Sequence, residues 1–131
     1  MNLALNLNLW IAAGLLAVVF VVSGSAKLFV PKDKLATVPL GGWTGDASVG
    51  FVKALGALEL LAAVGLVLPA ALDIAPVLVP LAAVGVGLLM VGAMITHLRR
   101  HEAVGVVLNL VYLALAAFVA WGRFGPESFT G

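Results

Sequence analysis

Six polar side chains in this chain lie on otherwise apolar stretches: Ser23, Lys27, Glu59, His97, Asn109 and Tyr112. A carboxyl and an imidazole can trade protons with a substrate, so Glu59 and His97 are the candidate catalytic residues, for acid–base isomerisation or proton transfer. Ser23, Lys27, Asn109 and Tyr112 offer hydroxyl, ammonium and amide groups that can hold the polar head of a ligand. Cysteine is absent. Disulfides, thiol redox chemistry and cysteine-based zinc or iron–sulfur sites are therefore excluded in this chain. With two histidines, and Asp73 expected at the opposite end from Glu59, His97 and Glu102, no dedicated metal site is expected.

Each of these residues also has a plainer reading. From a helix start near Phe51, Glu59 is roughly 12 Å deep at 1.5 Å per residue, too deep to reach water easily. It must pair, accept hydrogen bonds or stay protonated, either to handle a proton or ligand or to lock two helices together. Lys27 lies one helical turn after Ser23. It can snorkel to the headgroups or turn inward, and Lys53, at the very start of its run, is expected to snorkel. His97 can cap free carbonyls at a helix end. Asn109, roughly 9 Å into its run and three residues before Tyr112, can bridge two helices. His101 is expected in solvent.

The elements that must position these groups are legible from hydropathy. Of 131 residues, 63% are hydrophobic and only 10% are charged. The mean hydropathy is +1.21. A chain this small cannot hide so much apolar surface in one core, so the surplus must face lipid. A net charge of +1 gives no reason to expect a nucleic-acid partner.

Four runs are long enough for a hydrocarbon core of about 30 Å: residues 9–28, 51–68, 76–96 and 104–121. The first lacks the basic flank of a signal peptide and reads as a true span. Pro69 is expected to stop the second and Gly122 the fourth. Pro76 suits the first turn of the third, and Pro80 is expected to kink or delay its start. Only "AALDI" separates spans two and three, and only "RRHE" separates three and four. Links this short force antiparallel neighbours. The expected fold is all-α: a single four-span membrane domain forming an integral membrane, up-down-up-down four-helix bundle.

Lys27, Lys32, Lys34, Lys53, Arg99 and Arg100 flank the first and third loops, whereas the other side has only Arg123. The positive-inside rule then places both termini outside. Trp10 and Trp121 fall together at the outer interface. This topology gathers Ser23, Lys27, Glu59, His97 and Asn109 in the cytoplasmic half, with at least one from each helix, and so predicts a shared polar pocket there. The loop 30–50 is turn-rich. Trp43 is expected as an interfacial anchor and Asp46 or Ser48 as the cap of span two, and a lid role for the loop stays open. The small pairs Ala83/Gly87 and Gly92/Thr96 suit close helix contact, within the bundle or in a homo-oligomer.

Three pieces, "SGSAKL" closing span one, "KALGALELLAAVGLVLP" in span two and "HLRRHE" after span three, resemble the DoxX-like family of small four-helix membrane proteins. With the span spacing, the resemblance covers nearly the whole chain. It implies an integral bundle in a bacterial plasma membrane and puts Lys27, Glu59 and His97 on recurrent polar positions. Some such relatives are linked to quinone-dependent sulfur oxidation or membrane redox complexes, and others act as assembly factors. The lack of cysteine weighs against direct thiol chemistry. Two functions follow as expectations. One is a pocket for a quinone, an isoprenoid or another lipid-soluble molecule. The other is a non-catalytic accessory or assembly subunit that binds a membrane protein partner. A small transporter fits less well, because four spans are few and no inverted repeat is visible.

Overall fold

The computed structural model describes residues 2–129. Its helices are α1 (Leu3–Phe29), α2 (Lys32–Leu35), α3 (Val49–Ala71), α4 (Leu78–Arg99) and α5 (Ala103–Phe124), with a 3-10 turn at Gly42–Gly45 and no strand among the described residues. The helices α1, α3, α4 and α5 are each long and apolar enough to cross a bilayer. They pack as a closed circuit, α1 on α3, α3 on α4, α4 on α5 and α5 back on α1.

The register that builds this circuit is a stripe at three- and four-residue spacing. The buried positions are Leu9, Ala12, Ala13, Leu16, Phe20 and Gly24 on α1, and Val52, Gly56, Glu59, Ala63 and Leu66 on α3. Such spacing keeps one helix face on its neighbour. Leu16, Phe20, Leu66, Val86 and Val119 meet at the centre with essentially no exposure. The remaining faces are apolar as well: Val18, Val22, Leu61, Leu88 and Val107 all point outward and are exposed. Water would not tolerate that surface, but a bilayer requires it, and the helices satisfy their backbone groups internally. The chain is a multi-pass membrane protein with its circumference in lipid.

Helix α1 begins six residues before the expected start. Asn2 caps it, its side chain accepting from the Leu5 amide at 3.0 Å. Asn6, which reads as a polar interruption, is satisfied by Arg123 from α5 at 2.9 Å. Pro69 does not stop α3, which runs on to Ala71. A proline there removes a single backbone bond near the helix end, where few bonds remain to lose. Pro76 lies outside α4, two residues before Leu78, whereas Pro80 sits in its first turn, where free N–H groups lack intrahelical partners anyway. Gly122 does not end α5 either. It is buried inside the helix against Leu9, and α5 continues to Phe124.

Both tight turns close on the same device. After α3, the Ile74 amide reaches the Pro69 carbonyl at 2.9 Å and Asp73 takes φ 53°. After α4, the Glu102 amide reaches the His97 carbonyl at 2.9 Å and His101 takes φ 58°. These are Schellman endings with a left-handed residue at C′. The second one folds Glu102 back over His97.

Candidate functional site

Helices α1 and α3 approach closely because each offers a glycine at the crossing. A β-carbon at Gly24 would lie 2.7 Å from the Gly56 carbonyl oxygen, and one at Gly56 would lie 2.8 Å from the Gly24 carbonyl oxygen. One turn away on each helix, that contact brings Lys27 and Glu59 together. Lys27 Nζ lies 3.0 Å from both carboxylate oxygens of Glu59 and donates to Ser23 Oγ at 2.7 Å. Ser23 Oγ in turn donates toward Glu59 at 3.2 Å. The three side chains satisfy one another in a closed triangle. Glu59 is 7% exposed and occupies a core position of the α3 stripe, so its partners must come from the protein.

On the other wall, His97 is buried near the end of α4. Its ring is packed on the first turn of α5, where a β-carbon at Gly105 would lie 2.6 Å from the imidazole. The His97 side chain does not cap helix carbonyls; Nδ1 instead lies 2.9 Å from Glu102 Oε1. The Schellman turn makes this possible by supplying the αα-corner backbone bonds itself. Glu102 also meets Arg100 Nε at 3.4 Å, and Arg100 Nη1 donates to Asp46 at 2.9 Å. Asp46 is thereby spent on tying loop 30–48 to the α4–α5 turn, and Ser48 caps α3 by accepting from Phe51.

Ser23, Lys27, Glu59, His97, Asn109 and Tyr112 all line one cavity of about 510 Å³. Asn109 comes from one side of α5, and its Nδ2 is buried with no hydrogen-bond partner among the described residues. Most of the remaining lining is apolar, including Phe20, Leu55, Leu89 and Met90. Phe51 of α3 and Leu88 of α4 line the cavity and are themselves largely exposed, so the cavity is not fully enclosed.

Trp43, the expected interfacial anchor, also lines the same cavity, with Lys27 Nζ 5.8 Å from its ring centroid. The 3-10 turn at Gly42–Gly45 swings it inward. Its neighbour Leu40, with φ 64°, joins it in the wall. Loop 30–48 thus covers one end of the cavity. Lys53 donates to the Leu28 carbonyl at 2.9 Å, so it caps α1 rather than only reaching outward.

A second polar cluster, at the opposite end, has no counterpart in the sequence reading. Arg123 is buried, donating to Asn6 Oδ1 at 2.9 Å and to the Glu127 carbonyl at 3.0 Å. Phe129 lies over its guanidinium at 4.0 Å. Glu127 accepts from the Asn2 amide at 2.6 Å. The signal was present in Asn2, Asn6 and Arg123, but only their proximity in space gives it meaning. This cluster clasps the two ends of the described chain together.

Fold and site together define the class: a small all-α multi-pass membrane protein whose four spanning helices surround a cavity with polar groups on each of them. The chain belongs to the DoxX-like family, whose pattern matches residues 11–119. That segment contains all six cavity residues named above and leaves out Asn6, Arg123 and Glu127. No curated protein and no solved structure matches the chain.

Proposed function

We propose that the cavity binds one lipid-soluble molecule of the quinone or isoprenoid type. Its polar head would lie among the side chains of Ser23, Lys27, Glu59, His97, Asn109 and Tyr112, with the tail leaving between α3 and α4. The observation that carries this reading is the composition of one space. Polar groups from all four spanning helices converge on a cavity whose remaining lining is mostly apolar. Its volume of about 510 Å³ is that of a small-molecule site, commonly 300–1,000 Å³. In this reading the chain holds the head and moves protons at Glu59 and His97, and the Lys-rich end faces the cytoplasm.

The accessory-subunit reading keeps one specific support. Lys27, Ser23 and Glu59 satisfy each other completely, as a pure helix lock would. Native mass spectrometry of protein purified in mild detergent, with lipid extraction of the same sample, separates the two. One apolar molecule retained per chain, and lost in Glu59→Gln while the helical spectrum is unchanged, is the expected result. An empty bundle that carries a second protein would overturn the ligand-site reading.

A further inference from the structure

The cavity's polar groups differ in what they can still do. On α1 and α3, Lys27 Nζ lies 3.0 Å from both oxygens of Glu59 and Ser23 closes the triangle, so the Glu59 carboxylate is already neutralised. On α5, the Asn109 Nδ2 has essentially no accessible surface, and Tyr112 offers a phenol. Neither an amide nor a phenol takes up a proton near neutral pH. His97 of α4 is different. Its Nδ1 lies 2.9 Å from Glu102 Oε1, whereas its Nε2 has no partner among the described residues and is not closed off by packing. The ring lines the cavity and rests against α5 at Gly105.

A carboxylate only accepts hydrogen bonds, so Glu102 places the proton of a neutral His97 ring on Nδ1 and leaves Nε2 as a bare lone pair. In water the neutral ring prefers the other form. Glu102 is held for this task twice over. Its own amide donates to the His97 carbonyl at 2.9 Å in the α4 ending, and Arg100 Nε meets its carboxylate at 3.4 Å. Building on the ligand-site reading above, we infer that Glu102 is a positioning residue that makes His97 Nε2 the proton-accepting atom of the cavity. A bound molecule that gives up a proton passes it to Nε2 and keeps the electron pair of the broken bond. The Glu102 carboxylate at Nδ1 stabilises the imidazolium that forms. Proton transfer in the cavity narrows to this one atom, and Glu59 locks α1 to α3.

The chain has two histidines, so isotope labelling of the histidine ring nitrogens in tag-free protein gives two rings, and His101→Gln leaves one. Long-range proton–nitrogen NMR correlations in detergent then show which nitrogen carries the proton, at a pH well above about 6.5, the ordinary histidine value. The expected wild-type result is a proton on Nδ1 and a bare Nε2. Glu102→Leu should exchange the two, with most of the proton moved to Nε2. A merely structural Glu102 would change the melting midpoint and leave the tautomer as it is. The wild-type spectrum is decisive even where Glu102→Leu fails to fold. A proton on Nε2, alone or together with one on Nδ1, overturns the inference, as does an unchanged tautomer in a folded Glu102→Leu.

Diethyl pyrocarbonate, which attacks only an unprotonated ring nitrogen, checks access to Nε2. The exposed His101 is the internal standard. Peptide mapping should find both histidines modified, and modification of His101 alone overturns the inference. Neither measurement needs a retained molecule. A native mass spectrum of an empty bundle counts against the ligand-site reading, whereas the wrong tautomer in a bundle that does retain a molecule counts against this inference alone.

Discussion

Lys27 and Glu59 carry opposite charges inside a bundle that faces lipid, and each is the other's main reason for being tolerated there. Removing one charge leaves the other unpaired, so Lys27→Met should lower stability by about 3–5 kcal/mol. Replacing both, Lys27→Met with Glu59→Leu, should recover most of that loss, because an apolar pair needs no solvation. Denaturant unfolding in detergent checks both. A double variant whose loss equals the sum of the Lys27→Met and Glu59→Leu losses would mean that the two side chains act independently. Glu59→Gln is milder, since an amide keeps the size and can still bond Ser23 and Lys27. At the other end, Arg123→Met should lower the thermal midpoint, because Asn6 and the Glu127 carbonyl lose a charged donor, typically worth about 1.5–3 kcal/mol.

Helices in this chain meet through small residues and end through left-handed ones, and both features are open to substitution. Gly56→Ala places a methyl 2.8 Å from the Gly24 carbonyl oxygen and 2.9 Å from Lys27 Cβ. The α1–α3 crossing must then widen, with an expected cost of about 1–3 kcal/mol. Gly14→Ala is the control: no described residue beyond its own helical neighbours lies within 4 Å of the added methyl, and helix propensity alone should raise stability by up to about 1 kcal/mol. A matched pair of melting curves reads the contrast, and equal effects would refute the close-approach argument. His101→Gly relieves a left-handed residue at the C′ position of α4 and should be neutral or stabilising, provided the turn that carries Glu102 to His97 is kept.

At the scale of the whole molecule, loop 30–48 and the α4–α5 turn share one end, joined by Asp46 and Arg100. The pair is exposed on the Asp46 side, so breaking it with Asp46→Asn should barely move global stability. It should instead speed amide hydrogen exchange across residues 41–46, above the cavity, with the spanning helices unchanged. Six of the seven Lys and Arg residues flank the loops at this end, so the positive-inside rule predicts that this end faces the cytoplasm. The chain has no cysteine, so single cysteines report cleanly. Asp73→Cys in intact cells should react with an impermeant maleimide, and Lys34→Cys should react only after permeabilisation. The reverse pattern would invert the proposed orientation.

Hydropathy and link length, which are local properties, sufficed for the four spans and the antiparallel order, and three short motif pieces carried the resemblance to the family. Runs of apolar residues and links of four and five residues leave few ways to arrange helices in a bilayer. Charge deep in a span also marked Glu59 as a residue that must find a partner. Which partner it finds is a matter of helix rotation and crossing distance, set where Gly24 meets Gly56, and that contact lies between segments far apart in sequence. The same holds for Trp43, turned inward by a 3-10 turn, for His97, paired with Glu102 by the backbone ending of α4, and for Arg123, buried against Asn6 and Phe129 from the two ends of the described chain. Sequence spacing orders residues along one helix. Which side chains share a cavity depends on the angles between four helices, and those angles are decided only when the helices pack.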